Sequence, residues 1–224
     1  YETGHKLIES QKLHNLGFTG NSQIIGYSDT GLDIGVNDAT LHADFRDKIH
    51  SAYTLKGGSW RDTAGHGTHI AGSLVGKGAL SDGKIKASAF DAKLVVQSLS
   101  SEGRFRVPME IGNVILLPAY NDGARIHSNS WGSSKFRWGT YDPFSKSVDK
   151  FIWDHPDMLV IFSAGNTAGD YNRDGFVDER SPTVIPGIAK NCLTVGASEN
   201  LVSKGGIQVN WQWIGVETER WHID

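Results

Sequence analysis

Short apolar runs recur along the chain, each closed by small polar residues or glycine: "QIIGYSDTG", "AKLVVQSLS", "RIHSNSWG", "MLVIFSAGN" and "NCLTVGAS". Each has strand length and is rich in Val, Ile and Leu, which predicts a buried strand. Between them the spacing becomes helical, over 66–77, 109–120 and 143–153. In the last of these, Phe144, Val148, Phe151 and Ile152 share one face. The opening stretch "HKLIESQKLHNLGFTG" predicts a further helix through Leu16, ended by Gly17 and Gly20. Pro118 predicts a kink or an early end in the helix that contains it. Strands alternating with helices predict an α/β domain with a mostly parallel sheet. Chemistry in such sheets gathers at the carboxyl ends of the strands. Those ends read "SDTG", "QSLSSEG", "SNSWG" and "SAGN", small, polar and glycine-rich.

Length and composition narrow this picture. At 224 residues, 38% hydrophobic and 21% charged, the chain predicts a single globular domain over 1–224. A net charge of −3 offers no polyanion-binding signature, so nucleic acid is not an expected partner. No apolar run approaches the ~20 residues that span a bilayer, so no membrane partner is expected. The start at Tyr1, without methionine or a signal-peptide pattern, reads as processed or engineered. A lone Cys192 excludes an internal disulfide framework and is expected as a small core residue.

The candidate chemistry centres on "AGHGTHIAG", residues 64–72. Asp29 ends its strand and His66 opens a helix, whose amino end disfavours added positive charge. A neutral imidazole beside a carboxylate is what general-base catalysis needs. Gly65 and Gly67 are expected to leave room for a substrate backbone, and His69 to be packed. A metal reading of His66 and His69 finds no third ligand, and helical zinc pairs sit four apart rather than three. Asn166, after a strand and a small-residue turn, can donate to a developing oxyanion, or serve as ordinary turn material. Asp33 and Asp62 flank the motifs, as cleft-lining or solvated loop carboxylates.

A second constellation follows at "DYNRDGFVDERS", residues 170–181. Asp170, Asn172 and Asp174 fall at positions one, three and five of an EF-hand-type loop. Gly175 takes the sharp turn, the Phe176 carbonyl position seven and Asp178 position nine, while Ser181 replaces the usual glutamate at twelve. Hard oxygen donors at this spacing predict structural calcium, which would pin the loop beside Asn166, with a solvated acidic turn as the alternative.

Taken in order, "YSDTGLD", "DTAGHGTHIAG", "RIHSNSWG" and "FSAGN" resemble the motifs of subtilisin-like serine peptidases. The resemblance runs from about Leu16 to Asn200, is strongest to the bacterial high-molecular-mass and oxidatively stable alkaline subtilases, and implies an incomplete peptidase domain over 1–224 with 201–224 as a divergent loop or tail. It implies a secreted serine endopeptidase with a three-layer αβα fold and a polypeptide substrate. Asp29 would orient His66, His66 would act as base, and Asn166 would donate in the oxyanion hole. The backbone of Ser101 to Gly103 and of Ser130, Trp131 and Gly132 would form strands that hold an extended peptide.

The family's Gly-Thr-Ser-Met-Ala segment, which carries the nucleophile, is absent. Gly196-Ala197-Ser198 is only an echo, and Ser73, Ser130 and Ser163 lie inside other matched motifs. The resemblance therefore implies an amino-terminal portion, inactive alone, whose serine comes from a complementary carboxyl-terminal segment or fragment. The alternative is a catalytically inactive calcium-binding module of the same fold. "DTG" is also the aspartic-peptidase triplet, but the second aspartate motif that such a site needs is lacking.

Overall fold

The computed structural model describes residues 8–55, 58–101, 103–133, 140–166 and 185–197. Within them the five apolar runs and one further strand form a parallel sheet of β1 (Ile24–Asp29), β2 (Ile49–Thr54), β3 (Lys93–Ser98), β6 (Ile126–Asn129), β7 (Leu159–Ser163) and β8 (Leu193–Val195), in the order β2-β3-β1-β6-β7-β8. The remaining strands, β4 (Ser100–Ser101) and β5 (Arg104–Phe105), pair as a small antiparallel hairpin just beyond β3. Sequence pattern alone does not reveal β2. It is an edge strand, half exposed and carrying His50 and Ser51, so it never builds a continuous apolar run.

Helix α1 (Ser10–Asn15) ends at Gly17, whose N–H bonds His14 O while Phe18 N–H bonds Leu13 O, the paired closure of a Schellman turn. Helix α2 (His66–Val75) lies between β2 and β3 in the chain. Helix α3 is a π turn, Gly112–Leu116, running into an α-helix, Leu117–Asn121. Helix α4 (Pro143–Asp154) starts on Asp142, whose Oδ1 accepts from Ser145 N at 3.0 Å. Pro118 does not end its helix. Leu117 N–H reaches back five residues to Gly112 O, and this widened turn precedes a residue that has no N–H to donate.

Alternate residues of the strands supply two cores. Ile25, Tyr27, Leu94 and Val96 pack on one face with Ala71 and Val75 of α2 and with Leu32, Leu41 and Phe45. Val95, Val160 and Phe162 pack on the other with Ile111, Ile115, Leu116 and Ala119, and with Val148 and Phe151 of α4. Helix, sheet and helix make the three-layer α/β architecture. The α2 layer covers only half of its face. In register across β6, β7 and β8 stand Ile126, Leu159, Leu193 and Val195 on that same face, 36%, 43%, 48% and 48% exposed. Cys192, before β8, is half-buried against the α4-side core rather than fully enclosed, and burial pushes its thiol pKa up.

Strand order turns in opposite directions on either side of β1, with β3 on one flank and β6 on the other. A crevice opens outside the carboxyl ends of strands at such a point. Asp29 ends β1 there.

Candidate active site

The structure brings the first two predicted residues together. His66 Nδ1 lies 2.7 Å from Asp29 Oδ1. An ionised carboxylate only accepts, so Nδ1 carries the hydrogen and Nε2 is left as the basic nitrogen. Asp29 is buried, whereas the side chain of His66 is 55% exposed. Asp29 Oδ1 also accepts from Thr30 N at 2.7 Å, while Oδ2 has no partner among the described residues.

The loop after Asp29 and the start of α2 are sewn together by two threonines. Gly67 N donates to Thr30 Oγ1 at 2.8 Å, and Asp33 N donates to Thr68 Oγ1 at 2.8 Å. Gly67 therefore serves a contact within the protein rather than a substrate: a Cβ there would come within 2.3 Å of Gly31 O. Gly65 does occupy open space, but in the left-handed region at φ 84°. His69 is exposed, not packed, because Gly67, Ala71 and Val75 form the buried stripe of α2 and His69 falls on its far side. Asp62 and Asp33 are half-buried and bonded to nearby backbone rather than freely solvated. Asp62 accepts from Ala64 N, Gly65 N and Thr68, and Asp33 Oδ2 accepts from His42 N at 2.7 Å. The threonines were missed in the sequence, although each stands next but one to, or beside, a motif residue.

The proposed substrate segments are less regular than expected. Ser101 pairs with Arg104 across a turn that contains Gly103, so this stretch is one arm of a hairpin, and β5 occupies one of its edges. Ser130, Trp131 and Gly132 follow β6 without forming a strand, and Ser133 bridges Ile185 instead. Trp131 is buried, with its Nε1 donating to Ser28 O at 2.8 Å and Ser28 Oγ at 3.0 Å. Ser28 Oγ in turn donates to Asn129 Oδ1 at 2.7 Å. The indole thus fixes the 130–132 backbone to the strand that carries Asp29, leaving Gly132 exposed. Asn166 is exposed just beyond β7, on the same carboxyl rim. Asp170, Asn172, Asp174, Phe176 and Asp178 lie outside the described residues, among which no group of metal-ligating side chains occurs. Ser73 is spent on α2, donating to His69 O at 3.1 Å.

Residues 20–215 match the family model described as the subtilase family. The chain is 30% identical over 220 residues to the serine protease/ABC transporter B family protein tagD of Dictyostelium discoideum, covering 89% of this chain and 11% of that one. It is 30% identical over 148 residues to the serine protease AprX of Bacillus subtilis, covering 62% of this chain and 31% of AprX. The chain thus spans about a tenth of the length of the Dictyostelium relatives it matches. Among solved structures, the prenylagaramide maturation protease PagA aligns with a TM-score of 0.59 at 18% identity, over 85% of this chain and 58% of that one. The Clostridium perfringens CspB protease aligns with a TM-score of 0.54 at 18% identity, over 70% and 38%. Both likenesses concern the fold.

Proposed function

This chain belongs to the subtilase family, and we propose on that premise that it carries the acid–base half of a serine endopeptidase site, its nucleophilic serine arriving from a segment or fragment outside these 224 residues. The observation that carries the reading is the 2.7 Å contact between a buried Asp29 and an exposed His66 whose Nε2 meets no hydrogen-bond partner among the described residues. A serine Oγ beside Nε2 attacks the scissile carbonyl as Nε2 removes its proton. Asp29 holds the ring in the right tautomer and stabilises the imidazolium. The Asn166 amide donates to the oxyanion. His66 then returns the proton to the leaving amine, and water repeats the cycle on the acyl-enzyme.

An extended peptide lies between the hairpin at Ser101–Gly103 and the stretch Ser130–Gly132, bonding backbone to backbone. Trp131 acts beneath it as an anchor. The uncovered apolar strip of β6 to β8 supports the arrival of a further element on the His66 side of the sheet. The carboxylates of Asp170, Asp174 and Asp178, the Asn172 amide and the Phe176 carbonyl form a hard-oxygen donor set that would hold calcium, which would brace the stretch after Asn166. An extracellular setting, rich in calcium, fits both.

The test is denaturing intact-mass analysis before and after treatment with a fluorophosphonate probe. A labelled second fragment beside this chain, or a labelled longer chain that contains it, is the expected result. An unlabelled chain that stays unlabelled in every serine-bearing form, with no peptide hydrolysis, would overturn the reading.

A further inference from the structure

We propose that Asp62 is a positioning residue for the base, holding the first turn of α2 so that His66 meets Asp29; calling His66 the base rests on the function proposed above. Helix α2 begins without a side-chain cap of its own, because the residue before it is Gly65 in the left-handed region. A helix start leaves backbone N–H groups without partners, and each must find an acceptor. Asp62 supplies two of them, for Gly65 and Thr68, and also takes the N–H of Ala64 just before the cap. Its Oδ1 accepts from Ala64 N at 3.0 Å and Gly65 N at 2.8 Å. Its Oδ2 accepts from Thr68 N at 2.8 Å and from Thr68 Oγ1 at 2.7 Å.

The fourth of these bonds extends the reach of Asp62 to Asp29. Once Thr68 has given its hydroxyl hydrogen to Asp62, its oxygen is aligned to accept from Asp33 N. Asp33 lies on the loop that leaves Asp29. A ring therefore closes from Asp62 through Thr68, along the 29–33 backbone to Asp29, across to His66, and back down the turn. Thr30 runs alongside, taking Gly67 N while facing Asp29 Oδ1 at 3.3 Å. Three of the four atoms that meet Asp62 are backbone N–H donors, split between its two oxygens, so both oxygens must accept, as a carboxylate's do. Whichever way it is turned, an asparagine would set its NH2 group against at least one of those N–H donors. Burial raises the Asp62 pKa, but hydrogen bonds, led by those from Thr68, outweigh it and hold the carboxyl below its ordinary value. The group stays ionised wherever the base would work.

The test is the low-field proton signal of the His66 Nδ1–H, recorded on the whole 224-residue chain and independent of any serine. Wild type and Thr68→Ser, which keeps the hydroxyl, are expected to show the signal. Asp62→Asn and Thr68→Val are expected to lose it, or to exchange it more than ~10-fold faster, that factor being ~1.4 kcal/mol of weakened closure. The amide signals of β1 and β3 report folding. Asp149→Asn, which disturbs hydrogen bonds at the far helix layer, is expected to leave the Nδ1–H signal unchanged. If Asp62→Asn does not fold, Thr68→Val against Thr68→Ser decides. A folded Asp62→Asn with wild-type exchange, a folded Thr68→Val with wild-type exchange, or no signal in the wild type overturns the proposal. Failure of fluorophosphonate labelling would strike the peptidase reading and leave this result standing.

Discussion

His66 Nδ1 and Asp29 Oδ1, 2.7 Å apart, straddle the protein boundary: the aspartate side chain is 1% exposed and the histidine side chain 55%. The asymmetry divides the labour. Burial keeps the carboxylate poorly solvated, so its field falls on the one ring it touches. Exposure leaves the opposite nitrogen accessible to a nucleophile.

The first prediction concerns that division. In a serine-bearing form, Asp29→Asn is expected to lower kcat by roughly 10⁴, the order seen when other triads lose this carboxylate, with KM little changed. The amide leaves the shape intact but favours the wrong tautomer of His66. His66→Ala is expected to cost at least as much. Steady-state kinetics on a peptide substrate checks both, and an Asp29→Asn variant within tenfold of wild type would contradict the assignment.

Trp131 offers a second test, because its indole N–H meets both Ser28 O and Ser28 Oγ inside the protein. Trp131→Phe keeps most of the apolar volume and removes the donor. Leaving a buried acceptor unpaired costs about 1–3 kcal/mol. Urea unfolding is expected to show that loss as a lower midpoint at an unchanged slope. Peptide hydrolysis by a serine-bearing form is expected to show a raised KM, as the 130–132 backbone loosens.

Why the sequence reveals some of this and hides the rest follows from where side chains are spent. β1, β3 and β7 are legible because a strand enclosed by neighbours is apolar on both faces, as with the consecutive Leu94, Val95 and Val96 of β3. The edge strand β2 carries no such run. Asp29 and His66 were legible because a motif states them. Thr30, Thr68 and the bonding of Asp62 were not, since a threonine or aspartate near glycine reads equally well as a solvated turn. Exposure of His69 depends on which stripe of α2 meets the sheet, and a ten-residue helix rich in small residues blurs that stripe.

The pH dependence of stability gives a third prediction. His127 is fully buried, and desolvation lowers its pKa to about 3 from the ordinary 6.5. Gln97 Nε2 donates to Ile115 O, so Gln97 Oε1 accepts from His127 Nε2, and the ring is neutral. Unfolding frees the imidazole to bind a proton at an ordinary pH. The stability tied to His127 is therefore complete above about pH 6.5 and falls as pH drops toward 3, by up to about 1.4 kcal/mol per pH unit. Asp62, with its lowered carboxyl, adds a loss that begins near the ordinary carboxylate value and continues below it. Urea midpoints measured from pH 8 to pH 4 are expected to decline below about 6.5. The His127 ring signal is expected to stay unchanged across that range, and a normal titration would refute the account.

A fourth prediction tests the far end of the sheet. Asp149 Oδ1 accepts from Asn191 N at 2.8 Å, and its Oδ2 from Lys190 N at 3.1 Å and Tyr141 Oη at 2.9 Å. These bonds fasten the approach to β8 onto α4. They are exposed, so Asp149→Ala is expected to cost only about 1 kcal/mol globally. Amide exchange of β8 is expected to quicken far more than that of β1, a local opening that hydrogen exchange with mass readout resolves.

The uncovered strip decides whether the chain works with another element. Ile126, Leu159, Leu193 and Val195 stand in register on the α2 side of β6, β7 and β8, each at least a third exposed. If that face simply met water, charging it would change little beyond solubility, because exposed sites tolerate substitution within about 0.5 kcal/mol. If it receives the serine-bearing element, two buried and unpaired carboxylates there are prohibitive. Leu159→Asp combined with Leu193→Asp is therefore expected to leave this chain folded by its amide spectrum and to abolish binding of a hydrophobic dye. In a mixture with the serine-bearing fragment, it is expected to remove both co-elution and fluorophosphonate labelling of that fragment. Unchanged labelling with the doubly charged face would rule this strip out as the docking face.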